Sequence, residues 1–260
     1  MKACVAVVLL LFGGVCLAQV PASGRQRSGA AYPEPEAAAA WRALAASYVR
    51  KALNDQTLNR DPVLNARVDK VMSAVGAAVA AIDPRFAQSA WKAILIEDFG
   101  RGAVAFPGET VIIDAKFVRA LRLNDDELAL ILSHEAAHVV AGHASAKLSF
   151  MAEVLGKEKI PTARTALLEF LAKDSYAAAF GPTARQQERE ADALGAGILF
   201  ASGYDAQRAL EVFDKLAEVE TGEVGQAADS HDSARARKQA VSGVIAELQQ
   251  SRARRAPDPR

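Results

Sequence analysis

Apolar positions recur at two different spacings along this chain, and the change of spacing marks out its elements. Over 36–53, Trp41, Leu44, Tyr48 and Val49 fall at helical spacing, and over 63–82 Leu64, Val68, Val71, Met72 and Val75 do the same; both stretches are expected to be helices with one buried face. The period then shortens. Trp91, Ala93, Ile94, Leu95 and Ile96 within 91–97, and Thr-Val-Ile-Ile at 110–113, are short, β-branched runs bounded by turn residues such as Pro107-Gly108, which predicts a small sheet. A short helix is expected over 116–121. The next helix should start at a capping box, with Asn124 as N-cap and Glu127 reaching back to it. From there Leu128, Leu130, Ile131, Leu132, Val139 and Val140 make the pattern apolar nearly all round, as in a buried helix.

Helical pattern continues through Leu155, breaks at Gly156 and Pro161, and resumes over 163–172; Gly181-Pro182 reads as a second break. Further helices are expected over 183–201, closed by Gly203, over 206–219 behind Asp205, and over 234–249, with a polar loop at 221–233. No repeat of twenty to fifty residues is visible. The fold class expected is α+β and mainly helical, one domain over 37–250 in which a small β-sheet lies beside the helix at 124–147.

Composition changes the picture at the ends. Met1-Lys2, an apolar run to Leu11 and Cys16-Leu17-Ala18 describe a secretory signal peptide over 1–18. The segment 19–36 is rich in Pro, Ser, Gly and Arg and reads as a disordered leader; 251–260 reads as a disordered basic tail. Val15 stands where lipid attachment at Cys16 would want a small residue, which speaks against a lipid anchor. Both cysteines, Cys4 and Cys16, fall in the signal segment, so the mature chain would be free of thiols, and a periplasmic location is expected. The 31 basic and 31 acidic residues balance, which gives no electrostatic reason to bind nucleic acid or an anionic membrane. No transmembrane segment is expected in the mature chain.

The candidate chemistry sits in the apolar helix. His134 and His138 are four residues apart and so share one face, close enough to hold a single metal ion, with Glu135 beside them. A buried Glu flanked by two His would cost several kcal/mol without compensation, and a divalent cation supplies it. A catalytic zinc wants three protein ligands and one open position. Spacing alone does not choose the third among His143, His231 and the many acids, although His143 would lie about 140° around a continuous helix from His138.

The His-Glu-x-x-His run at 134–138, the Arg-x-x-Glu-x-Glu-Ala-Asp run at 185–192 and the Pro-Gly strand upstream together resemble the M48 zinc metallopeptidases, in particular their soluble periplasmic group, over about residues 60–240. The resemblance implies a zincin-like fold, one Zn2+ per chain, Glu188 as third ligand, Glu135 as general base and Asp192 as the partner of a zinc-bound His. Glu190, about 200° around the helix from Glu188, is expected to face elsewhere. Ala191, Gly195 and Gly197 would let this helix approach the metal-binding helix closely. A His at position 143 is frequent in the family, with a structural or cleft-edge role. His231 and Arg237 match a loop motif that hangs over the metal, His231 stabilising the oxyanion or capping zinc and Arg237 contacting oxyanion or substrate; Asp232 replaces the family's Pro there. Gly102 and Val104 depart from the family's Asn and Phe beside a strand that binds extended polypeptide. The implied activity is that of a zinc metalloendopeptidase (EC 3.4.24 type) acting on unfolded or misassembled envelope proteins, in association with envelope assembly machinery. The competing reading is a zinc-stabilised periplasmic chaperone or scaffold with latent or no proteolysis.

Overall fold

The computed structural model describes residues 30–220 and 232–254. The signal segment, most of the leader, His231 and the end of the tail lie outside them. Helices α1 (Glu34–Asn54) and α2 (Pro62–Ile82) precede strands β1 (Lys92–Ile96), β2 (Ala103–Phe106) and β3 (Thr110–Asp114). Helices α3 (Ala115–Ala120), α4 (Asp125–Ala141), α5 (His143–Leu155), α6 (Ala163–Ala172), α7 (Asp174–Ser202), α8 (Ala206–Ala209), α9 (Val212–Glu220) and α10 (Ala234–Ala253) follow. The fold is mainly helical with one small mixed sheet, as expected for a zincin-like metallopeptidase.

The sheet order is β1-β3-β2, with β3 parallel to β1 and antiparallel to β2. The central strand is covered on both faces. Val111 and Ile113 enter a core built from α2, α4, α7, α8 and α10, whereas Ile112 enters a second core built from α1, α5 and α6. Successive residues of a strand point to opposite faces, so a strand buried on both reads as a continuous apolar run. That is why 111–113 shows no alternation.

The structure departs from the expected elements at six places, one of them the helix expected over 206–219, which is divided into α8 and α9. The stretch 103–106, for which no element was expected, is the edge strand β2, paired Val104↔Ile112 and Phe106↔Thr110. The helix expected to run unbroken from 124 to 155 ends at Gly142, whose φ of 74° is the left-handed conformation that closes a helix, and α5 starts at the next residue. Pro182 does not break the chain: α7 runs through it from Asp174 to Ser202. Proline costs a helix interior about 3 kcal/mol, but Phe180 is buried against Phe150 and Phe170 just before it, and packing outweighs propensity there. Residues 31–36, expected to belong to the disordered leader, are ordered. Tyr32 is 2% exposed and donates its hydroxyl to the Ile160 carbonyl, so 31–36 is docked structure. The last helix runs to Ala253, past the expected end at 249.

Candidate metal centre

The start of α4 is held from both sides. Asn124 Oδ1 accepts from the Glu127 N–H at 2.9 Å and a Glu127 carboxylate oxygen accepts from the Asn124 N–H at 2.7 Å, the predicted capping box. Glu127 is fully buried, and Lys215 Nζ, donating at 2.7 Å, supplies the countercharge. With the first turn pinned, His134 and His138 project from one face of α4 toward α7. Gly195 lets α7 come in. A Cβ on Gly195 would stand 2.9 Å from His134 Cα and 3.0 Å from His134 N, so a side chain there would meet backbone. Gly197, expected to share that role, does not: a Cβ there meets nothing within 4 Å.

The approach brings one turn of α7 onto the histidines. His134 Nε2 lies 3.1 Å from Glu188 Oε2 and 3.1 Å from His138 Nε2, and His138 Nε2 lies 3.5 Å from Glu188 Oε1. Zinc bonds to N and O of about 2.0–2.2 Å put tetrahedral donors about 3.3 Å apart, so the three atoms already sit at the spacing one ion imposes. Two ring nitrogens and a carboxylate are also a donor set zinc accepts. His134, His138 and Glu188 could therefore hold a metal ion.

On the other side of His134, Nδ1 meets Asp192 Oδ1 at 2.9 Å. Arg237 of α10 grips that same carboxylate with two hydrogen bonds, Nε to Oδ2 at 2.9 Å and a terminal nitrogen to Oδ1 at 2.7 Å, while its guanidinium lies over the Phe213 ring. Arg237, read from the sequence as an oxyanion or substrate contact, is thus placed by the structure on Asp192. Burial would raise the Asp192 carboxyl, but bonds from His134 and Arg237 overcome it and hold it down at about 2. For His134 burial pulls down and the Asp192 and Glu188 carboxylates pull up more strongly, to about 9. His138 goes the other way, to about 4, because burial dominates and its carboxylate contact compensates less.

Glu135 is not one of the three donors. Its Oε2 accepts from the Ala105 N–H of edge strand β2 at 2.8 Å, so the carboxylate is fixed between the metal-facing histidines and the strand edge. Asp232, where Pro was expected, is held in a fork by Arg189 of α7, at 2.7 and 3.1 Å. His231 itself is outside the described residues.

The position of one residue was misjudged from the sequence. His143 is not around a continuous helix from His138. The turn at Gly142 redirects the chain, and His143 Nδ1 faces His138 Nδ1 at 2.9 Å. Glu190 does point away from Glu188, yet it meets that same His143, Oε2 to Nε2 at 3.4 Å. The glycine before His143 was the available signal, since Gly just after an apolar helical run commonly ends a helix.

Comparison with known proteins follows the same residues. A family model described as peptidase family M48 matches residues 62–245, well over half of the 260-residue chain. The chain is 28% identical over 184 residues to a Vibrio cholerae protein named "Putative beta-barrel assembly-enhancing protease", an alignment spanning 66% of this chain and 37% of that one. It is 27% identical over 168 residues to the mitochondrial metalloendopeptidase OMA1 of Schizosaccharomyces pombe, spanning 62% of this chain and 49% of that one. The chain therefore matches less than half the length of each of these two relatives.

Proposed function

The chain belongs to peptidase family M48, and from that premise we propose that it is a zinc-dependent endopeptidase whose centre is His134, His138 and Glu188. The observation that carries the reading is the set of three donors at 3.1–3.5 Å with a further carboxylate, Glu135, next in the chain to His134 and not among them. A structural zinc site has no use for that neighbouring base.

His134, His138 and Glu188 would hold the zinc, which would supply a Lewis acid for the scissile carbonyl and for the attacking water. Glu135 is the base that would take a proton from the attacking water and pass it to the leaving amine. Its bond to the Ala105 N–H keeps the carboxylate at the β2 edge, where an extended polypeptide can add as a further strand. Asp192 holds His134 in the tautomer that leaves Nε2 bare for the metal, and Arg237 holds Asp192. For His231 we keep the role the resemblance implies, acting on the oxyanion or capping the zinc. We propose unfolded or misassembled envelope proteins as substrates and export to the periplasm through the segment 1–18. The name of the Vibrio cholerae relative supports a connection with β-barrel assembly. Among the described residues no helix is long and apolar enough to cross a membrane.

The test is a pair of substitutions. Glu135→Gln keeps about one zinc per chain and loses casein cleavage by several orders of magnitude, whereas Glu188→Gln weakens zinc binding itself. Equal zinc retention in both, with cleavage unaffected in Glu135→Gln, overturns the assignment.

A further inference from the structure

The two metal-facing histidines are backed in different ways. His134 Nδ1 meets a carboxylate directly, Asp192 at 2.9 Å. His138 Nδ1 meets another imidazole: His143 Nδ1 stands 2.9 Å away, with ring centroids 4.9 Å apart and planes at 75°. Behind that ring, His143 Nε2 lies 3.4 Å from Glu190 Oε2. His143 is 3% exposed, and the Glu190 side chain is largely covered. We propose that His143 and Glu190 form a two-link positioning chain that holds His138 in the tautomer and orientation needed to ligate through Nε2.

This rests on the reading of His134, His138 and Glu188 as the metal centre. His138 turns Nε2 toward the other two donors, so that nitrogen must carry its lone pair and the proton belongs on Nδ1. Two bare ring nitrogens facing each other at 2.9 Å would repel. The Nδ1–H of His138 therefore donates to His143 Nδ1, which leaves the His143 proton on Nε2, directed at the Glu190 carboxylate. Each proton is placed by the link before it, and the chain ends on an anion. Metal-ligating histidines commonly donate their second nitrogen to a carboxylate, carbonyl or water; here one ligand is backed by Asp192 at one step and the other by Glu190 at two.

The backbone is shaped for this contact. On an uninterrupted helix His143 would sit about 140° from His138 and could not face its Nδ1. The left-handed turn at Gly142 makes the approach possible. His143 is also no fourth ligand, because it addresses the nitrogen of His138 that points away from the donor set. Glu188, Glu190 and Asp192, alternate residues of one turn of α7, then serve as ligand, remote anchor and direct anchor.

Zinc affinity, measured by chelator competition on the full chain, tests the chain of contacts apart from catalysis. His143→Leu fills the space without an acceptor and is expected to weaken zinc about 10- to 100-fold, the usual effect of removing such a partner. In His143→Asn, Oδ1 stands about where Nδ1 did, so affinity should return to within about threefold of the unmodified chain, and Co2+ substituted for zinc should show its original visible spectrum. A merely space-filling role predicts the reverse order, since Leu suits a buried site better than Asn. Glu190→Ala should weaken zinc about tenfold through the outer link. Unchanged affinity in both His143→Leu and Glu190→Ala overturns the proposal, as does His143→Asn binding no better than His143→Leu. If His143→Leu does not fold, Glu190→Ala decides alone, with unchanged affinity overturning it. Loss of the metal reading itself would look different: His138→Ala would then leave zinc affinity intact.

Discussion

Gly195→Ala is the change for which the structure gives the sharpest expectation. An alanine in an exposed helix interior is worth about 1 kcal/mol over glycine, so propensity alone predicts stabilisation. Here the new methyl would lie 2.9 Å from His134 Cα, 3.0 Å from His134 N and 3.2 Å from Ser133 C. Carbon atoms in contact prefer about 3.5–4.0 Å, so α7 and α4 must separate by more than half an ångström, and neither obstacle is a side chain that can swing away. Overpacking of this kind costs about 1–3 kcal/mol, which exceeds the propensity gain over most of that range. The displacement also lands on the site, because Asp192 and Glu188 reach His134 at 2.9 and 3.1 Å from the same stretch of α7. We expect Gly195→Ala to lower the melting temperature of the metal-free protein by a few degrees, at about 2–4 °C per kcal/mol for a domain this size, and to weaken zinc about tenfold or more. Gly197→Ala is the matched control: a Cβ there meets nothing within 4 Å, so the protein should melt slightly higher with zinc affinity unchanged. Thermal denaturation of both metal-free variants and chelator competition for zinc are the assays. If Gly195→Ala melts higher and keeps its zinc as Gly197→Ala does, the close approach of the two helices does not hold the site together.

Three further expectations follow from the same geometry. In the metal-free protein His134 has a pKa near 9, above the ordinary 6.5, so its contribution to stability is full below pH 6.5 and is lost as pH rises through 9. Zinc must displace its Nε2 proton, so calorimetry at pH 7.5 in buffers of different ionisation enthalpy should report about one proton released per zinc; none released would contradict the pairing with Glu188 and Asp192. Asp192, held at about 2 against its ordinary 3.8, contributes stability above pH 3.8 that is lost as pH falls through 2, and Asp192→Asn should abolish that part of the acid dependence. Arg237→Leu leaves Asp192 with His134 as its remaining partner and should destabilise the metal-free fold by about 1–3 kcal/mol, the usual cost of losing a charged hydrogen-bond partner at a largely buried group; no change in urea denaturation would show that Arg237 is dispensable to it.

The sequence by itself determined whatever depends on local spacing. Four-residue separation put His134 and His138 on one face, the Asn124–Glu127 box started their helix, and the β-branched runs at 91–97 and 110–113 marked two of the strands. Glu188 and Asp192 were legible only through resemblance, because solvated acids on a charged helix have the same local pattern as ligands. Tertiary structure decided what depends on which elements meet. β2 has too few residues to declare itself until β3 pairs with it. Pro182 is tolerated because Phe180 is anchored in a core formed with residues up to thirty positions earlier. Arg237 could be placed on Asp192 only once α10 was packed beside α7. His143 and Glu190 are 47 residues apart. Their meeting depends on one left-handed residue, Gly142, whose effect is to redirect a whole helix: spacing along a chain predicts neighbours only while the helix continues, and where it stops, packing takes over.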